Sequence, residues 1–203
     1  MAPKLGDRYR SVKKVLLIRF SSIGDIVLTS PVIRVLRKEL GAELELHYLL
    51  KAPFRDLLRE DPRIDRLHTW EKGREKEVIA ALKEENFDHV IDLQRSLRSL
   101  RLRALLGRPT STFAKLNKEK WMLVNLKWNL LPRVHVVDRY FEALEPFGVE
   151  NDGRGTELYL PPEEEVTPAD IGLSKDELFL SFSIGGAHAT KRLPEERILE
   201  LCR

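Results

Sequence analysis

The chain carries a single cysteine, Cys202, among 203 residues. It can close no internal disulfide and has no second thiol with which to build a zinc site, so redox chemistry and a thiolate metal centre are not expected. No stretch approaches the roughly 18 consecutive apolar residues of a membrane-spanning helix. The basic run from Met1 to Lys14 precedes a seven-residue strand-like segment, not the apolar core and small-residue cleavage site of a secretory leader. A cytoplasmic location is expected. The sequence also lacks a G-x-x-x-x-G-K-[ST] loop, a G-x-G-x-x-G turn after its first strand and a G-x-S-x-G elbow, which removes three common phosphate-binding and hydrolase readings. There is no D-x-D pair to hold a divalent cation, and the five histidines show no i, i+4 pairing of the helical zinc-site kind. No metal and no cofactor are expected. Low-complexity tracts and 20–50-residue repeats are missing as well.

What is present is the balance of a folded α/β protein, 42% apolar and 33% charged. Lys14 to Phe20 is a short apolar, β-branched run that reads as a buried strand. It ends in Ser21-Ser22-Ile23-Gly24-Asp25, and Ser30-Pro31 then has the form of an N-cap and first helical residue, with a helical turn that starts earlier at Gly24 as the alternative. Gly41 terminates that helix, and strands are predicted at Glu43–Leu50, Arg66–Trp70, His89–Leu93 and Thr110–Phe113. Helices are predicted at Phe54–Leu58, Glu75–Glu85, Ser96–Leu106 (with Leu97, Leu100, Leu102 and Leu105 inward), Lys118–Leu130 and Val136–Phe147. Such alternation implies parallel strands with crossover helices, a Rossmann-like doubly wound α/β sheet. Residues 1–160 form this first lobe. The proline- and acid-rich segment 161–177 reads as a linker, and 178–203 starts a second α/β unit with one strand, Leu178–Ile184, and one helix from about Pro194. A unit of that size cannot bury a sheet, so the second lobe is read as truncated.

Ligands of open parallel sheets bind beyond the carboxyl ends of the strands, and three segments are placed there. In the first, Ser21, Ser22 and Gly24 let backbone amides approach a ligand, and Asp25 either takes a proton from a hydroxyl or simply caps its helix. In the second, Arg95 and Arg98 are the arginines nearest the strand end and suit phosphate or carboxylate, while Arg101 and Arg103 read as solvated. The third combines the flexible backbone of Gly185, Gly186 and Ala187 with the Thr190 hydroxyl and the Lys191 cation, a set that suits a diphosphate.

Charge is uneven. Between Arg95 and Arg139 eleven Lys or Arg face two acids, a local net charge of +9 against +3 for the whole chain. An anionic partner or a solvated basic face accounts for it equally. Nucleic acid is disfavoured as that partner, because Arg95–Arg108 contains no aromatic on which a base would stack. Trp121 and Trp128, set among Leu123, Leu126, Leu130 and the lysines 118, 120 and 127, read either as an interfacial helix for anionic lipid headgroups or as a packing face with snorkelling lysines.

The motifs together resemble a known family. KVLLIRFSSIGDIVLTSPVIRVLRKEL is similar to the opening of the family 9 glycosyltransferases, the lipopolysaccharide heptosyltransferases, and VIDLQRSLRSLRLRALLG to their second signature. HVVDRYFEALEPFGV resembles the helix before the lobe crossing, and SIGGAHATKRLPEERILELC the start of the C-terminal lobe. The resemblance implies a GT-B fold that transfers heptose from ADP-heptose to the lipopolysaccharide inner core with inversion and without a metal, at the inner face of the inner membrane. It implies Asp25 as general base, Arg98 as an acceptor or sugar ligand, and Thr190 with Lys191 as ligands of the donor diphosphate. Leu193 stands where the family has an aromatic residue before Pro194. Alternatives left open are a GT-B transferase for another nucleotide sugar, a non-catalytic anion-binding domain, and a remnant completed by a partner chain that supplies the second lobe.

Overall fold

The computed structural model of the chain describes residues 12–161, 163, 166–174, 178–180, 185–186 and 192–202. Five parallel strands form one sheet: β1 (Lys14–Ile18), β2 (Glu45–Lys51), β3 (Arg66–Trp70), β4 (His89–Asp92) and β5 (Thr110–Thr112), in the order β3-β2-β1-β4-β5. The parallel α/β architecture read from strand–helix alternation is therefore present. The helices are α1 (Ile23–Val27), α2 (Ser30–Leu40), α3 (Glu75–Glu84), α4 (Leu97–Leu106), α5 (Asn117–Leu126) and α6 (Val136–Phe141), with 3-10 turns at Ala52–Leu57 and Glu142–Phe147.

Alternation along β1 explains the layering. Successive strand side chains point to opposite faces, so Val15 and Leu17 join one core with Val32, Ile33 and Leu36 of α2 and Tyr140 of α6, while Leu16 and Ile18 join a second core with Leu82 of α3 and Leu102 of α4. β1 is buried on both sides because its neighbours and both helical layers cover it. Continuous apolar runs such as KVLLI are the sequence form of such a strand.

Several boundaries differ from the sequence reading. The segment Gly24–Leu40 is two helices, with Thr29 rather than Ser30 at the cap of α2 and Pro31 in its first turn. The helix predicted at Phe54–Leu58 is instead the 3-10 turn Ala52–Leu57 with Leu58 as its cap, and α5 stops at Leu126 because Lys127 adopts a left-handed conformation, φ 59°. In α4 the inward residues are Ser99, Leu102 and Leu106, whereas Leu97, Leu100 and Leu105 are exposed. With leucine on every side, composition could not set the rotation of that helix. Ser96 and Ser99 set its start by exchanging side-chain and backbone hydrogen bonds.

Three of the scattered histidines, His47, His68 and His89, find partners across strands, a pairing that spacing along one helix cannot reveal. His47 Nδ1 and His68 Nε2 lie 2.9 Å apart on neighbouring strands, and His47 Nε2 is 2.8 Å from Glu45. Burial and the adjoining His47 hold the His68 pKa down at about 4. Ring nitrogens of both and the Glu85 carboxylate fall within 4.8 Å of one another, but Glu85 is already engaged by Lys14 and Arg66. Those cations oppose a further positive charge, and the cluster is a hydrogen-bonded lock at the amino-terminal edge of the sheet.

After the Glu142–Phe147 turn the chain returns to α2. The nearly buried Arg34 guanidinium is gripped by Asp152 at 2.6 and 2.8 Å, by Glu157 at 3.0 Å and by the Gly155 carbonyl at 3.0 Å. The Glu157 amide donates to Ser30 Oγ. Residues up to Pro162 form one compact unit, and Glu163–Arg203 form another. In the second unit the described residues include a 3-10 turn, Pro168–Ile171, capped by Thr167 and Asp170, and helix α7 (Glu195–Leu201). Leu178–Leu180 have no regular structure, and the rest of the predicted strand 178–184 lies outside the described residues.

Hydrogen bonding to Arg34 lowers the Asp152 pKa from 3.8 to about 2. A carboxylate depressed by folding stabilises above its unfolded pKa, and that contribution is lost as pH falls through the folded value. Asp152→Asn is expected to cost about 2 kcal/mol at pH 7, roughly 4–8 °C in Tm for a unit of this size. Thermal melts against pH should show the deficit shrinking between pH 4 and pH 2; a deficit that stays constant there would refute the assignment.

Candidate functional site

The strand order 3-2-1-4-5 places the reversal of the winding between β1 and β4, and the crevice of such a sheet opens beyond the carboxyl ends of those two strands. Arg19 follows β1 there. Its side chain is 10% exposed; Nη1 donates to the Leu93 carbonyl after β4, Nη2 sits 2.7 Å from Asp25 Oδ2, and the guanidinium lies 5.7 Å from the Tyr140 ring centroid. One cation thus joins both strand ends to the SSIGD turn.

Asp25 occupies the third position of the five-residue α1. Its Oδ2 accepts from the Ser22 amide (3.2 Å) and the Ser22 hydroxyl (3.0 Å) as well as meeting Arg19. Among the described residues no hydrogen bond reaches Oδ1. Burial pushes the Asp25 pKa up, but the Ser22 amide, the Arg19 charge and the remaining hydrogen bonds together hold it below the ordinary carboxylate value. The start of α1 is therefore occupied by the chain's own carboxylate. Gly24 is exposed with open space around it, and Ser21 is half-buried.

From the β4 side, fully buried Asp92 organises the facing loop. Its Oδ1 accepts from the amides of Gln94 (2.9 Å) and Arg95 (2.8 Å), and Arg103 Nε stands 3.2 Å from Oδ2. Arg103 is thus an internal counterion, not the solvated residue the sequence suggested. Gln94 Oε1 in turn accepts from the amides of Phe20 and Ser21 at 2.9 and 3.3 Å. Arg95 takes a left-handed conformation, φ 47°, uncommon for a residue with a Cβ, and its guanidinium donates to the Phe113 carbonyl at 2.8 Å.

Arg98 lies elsewhere on the same edge. It stacks over Phe20 (5.7 Å) and Trp70 (6.0 Å), whose rings meet edge-to-face at 5.4 Å. Arg98 and Trp70 border a cavity of about 470 Å³ between α3 and α4, lined also by Ile79, Leu97, Leu102 and the cations Lys76 and Arg101, with Glu75 as the lone acid. An apolar platform ringed by cations suits a sugar or lipid-linked ligand bearing negative charge.

The structure brings Ser21, Ser22, Gly24, Asp25 and Arg95 to one crevice, with Arg98 linked to it through Phe20. Gly185 is exposed and Gly186 half-buried in the second unit; Ala187, Thr190 and Lys191 lie outside the described residues.

No family model matches the chain. A curated relative, the lipopolysaccharide heptosyltransferase 1 of Campylobacter coli, is 23% identical over 206 aligned residues, 94% of this chain and 60% of the relative. Among solved structures, a family 9 glycosyl transferase from Veillonella parvula matches with TM-score 0.71 and 22% identity over 93% of this chain and 58% of its own. The ADP-heptose lipopolysaccharide heptosyltransferase II of E. coli matches with TM-score 0.62 and 20% identity, over 93% and 60%. The resemblance to family 9 glycosyltransferases stands. At these identities the structural likeness speaks for the fold, and the chain spans about 60% of the length of the curated relative it matches.

Arg19, Asp92 and Arg103 were not singled out as site-forming residues by sequence, and Gln94 only as the first residue of the candidate segment Gln94–Arg98. Arg19 and Asp92 sit at strand ends inside apolar runs, the one signal available, since a charge there needs a partner. Lys115 is a further cation near the site. Desolvation lowers its pKa, as do Arg19 and Arg95, while Asp92 opposes them. Arg19→Met should raise the Asp25 pKa, because burial then acts with less opposition; carbon-detected NMR titration reads the midpoint, and an unmoved midpoint would assign the depression to Ser22 alone.

Proposed function

We propose that this chain supplies the acceptor-side lobe of a GT-B glycosyltransferase that moves heptose from ADP-heptose to the inner core of lipopolysaccharide. The observation that carries the reading is Asp25: an ionised carboxylate at the winding reversal of the sheet, with Oδ2 fixed by Ser22 and Arg19 and, among the described residues, no hydrogen bond at Oδ1. The similarity to heptosyltransferases over 94% of the chain supports the choice of substrate class.

In this reading the acceptor hydroxyl lies against Oδ1. Its oxygen attacks the anomeric carbon from the side opposite the diphosphate, its proton passes to Asp25, and the bond to ADP breaks with the electron pair leaving on the diphosphate. One displacement inverts the anomeric centre. Because Asp25 is held below the ordinary carboxylate pKa, it is a weak base that takes the proton late, as the hydroxyl acidifies on attack. Arg98 and Arg101 beside the Trp70 cavity bind an anionic acceptor. Gly185, Gly186, Ala187, Thr190 and Lys191 hold the donor diphosphate, whose charge Lys191 offsets without a metal. The reaction takes place in the cytoplasm, at the inner face of the membrane where the acceptor is anchored.

Asp25→Asn keeps the size and the cap while removing the basicity. In a chain carrying a complete second lobe, kcat should fall by roughly 10²–10⁴-fold, with donor affinity and Tm little changed. Near-normal turnover would leave Asp25 as a helix cap.

A further inference from the structure

Helix α5 and the segment behind it stand out because they bury almost nothing. No residue of α5 is buried. Trp121 is 58% exposed and Trp128 60%, and Val124, Leu126, Leu130 and Val134 are exposed beside them. An open recess of about 420 Å³ lined by Asn117, Lys118, Trp121, Met122 and Leu126 runs along the helix. A contiguous exposed apolar patch of this kind marks an interaction surface.

The flanking charge indicates what covers it. Between Lys115 and Val134 the cations are Lys115, Lys118, Lys120, Lys127 and Arg133 and the only acid is Glu119, a net charge of +4. On the exposed side of the helix Trp121 and Val124 lie one turn apart with lysines to either side. The core of a protein–protein interface is depleted of lysine, whereas tryptophan beside lysine is the composition of a bilayer interface, the ring at headgroup depth and the ammonium on lipid phosphate. Among the described residues no helix is long and apolar enough to cross a membrane, so contact would be peripheral.

Position joins this surface to the site. Phe113, the first residue after β5 on the way into α5, receives the Arg95 guanidinium on its carbonyl, and Arg139 donates to the Ala114 carbonyl. The segment therefore leaves the same sheet edge that holds Asp25.

We propose that Asn117–Val134 docks on an anionic lipid bilayer, with Trp121 and Trp128 at headgroup depth and Lys118, Lys120 and Lys127 on lipid phosphates. This deepens the functional reading above by stating how the lobe meets a membrane-anchored acceptor. It is tested without sugar or nucleotide, so its failure and that of the transferase reading are separate results.

The full chain is mixed with vesicles of phosphatidylcholine alone or with one quarter phosphatidylglycerol. Binding by co-sedimentation should be at least 10-fold stronger to the anionic vesicles, and tryptophan emission should shift to the blue on binding, a change attributable to Trp121 and Trp128 because Trp70 is already buried. The double variant Trp121→Ser, Trp128→Ser should lose the blue shift and at least 10-fold in partitioning with an unchanged melting curve. The triple variant Lys118→Glu, Lys120→Glu, Lys127→Glu should lose as much by abolishing the lipid-charge preference. Absence of binding, equal binding to both vesicle types, binding indifferent to either variant, or a blue shift that tracks protein concentration without lipid would each overturn the proposal, the last by assigning the face to a second copy of the chain.

Discussion

Almost everything at the candidate site depends on one buried cation. Arg19 is the first residue beyond β1, and its guanidinium ties the carbonyl after β4 to the carboxylate of the SSIGD turn. Adjacent parallel strands end with unpaired backbone groups, and where the winding reverses no helix covers the gap between them. A charged side chain that reaches both sides closes that gap at the backbone while leaving it open to a ligand. The cost of burying a guanidinium is offset only if its partners are in place, so the two loops and Asp25 are fixed as a set.

Asp92 plays the matching part from the other side. Buried and anionic, it gathers the amides of Gln94 and Arg95 and pairs with Arg103, and Gln94 then receives the backbone of Phe20 and Ser21. Two opposite charges, one at the end of each central strand, thus hold the facing loops through short relays. The uncommon backbone of Arg95 follows from this: its amide is aimed at Asp92 while its side chain reaches Phe113. Rigid loops of this sort position side chains more closely than solvated ones.

The sheet was legible in the sequence because each strand is a short apolar run and each helix follows at a regular interval; the bounds of β1, β3 and β4 moved by at most two residues. The rotation of α4 was not legible, since leucine and arginine alternate on all its sides and only contact with Leu16, Ile18 and Leu82 selects Leu102 and Leu106. Asp25 and Arg95 could be placed at the sheet edge because strand ends are countable. The relays through Arg19, Gln94 and Arg103 could not, because they join residues more than seventy positions apart or reverse an expectation of solvation. The histidine pair was hidden for the same reason, parallel register being a property of the folded sheet.

The two readings of Asp25, cap and base, are compatible once the contacts are divided by oxygen. Capping and the Arg19 ion pair engage Oδ2 and keep the group ionised; proton transfer would engage Oδ1. The lowered pKa describes the lobe in contact with water, and desolvation is already the largest single influence on it, acting upward against several smaller ones. Closing a substrate over the crevice strips away water without removing Ser22 or Arg19, which strengthens both the upward and the downward influences. Desolvation grows with every water lost, while the hydrogen bonds to Oδ2 are already made. An acceptor seated at Oδ1 would add to that desolvation, the influence that raises the basicity of Asp25, whereas in the open site Ser22 and Arg19 hold the group below the ordinary carboxylate value.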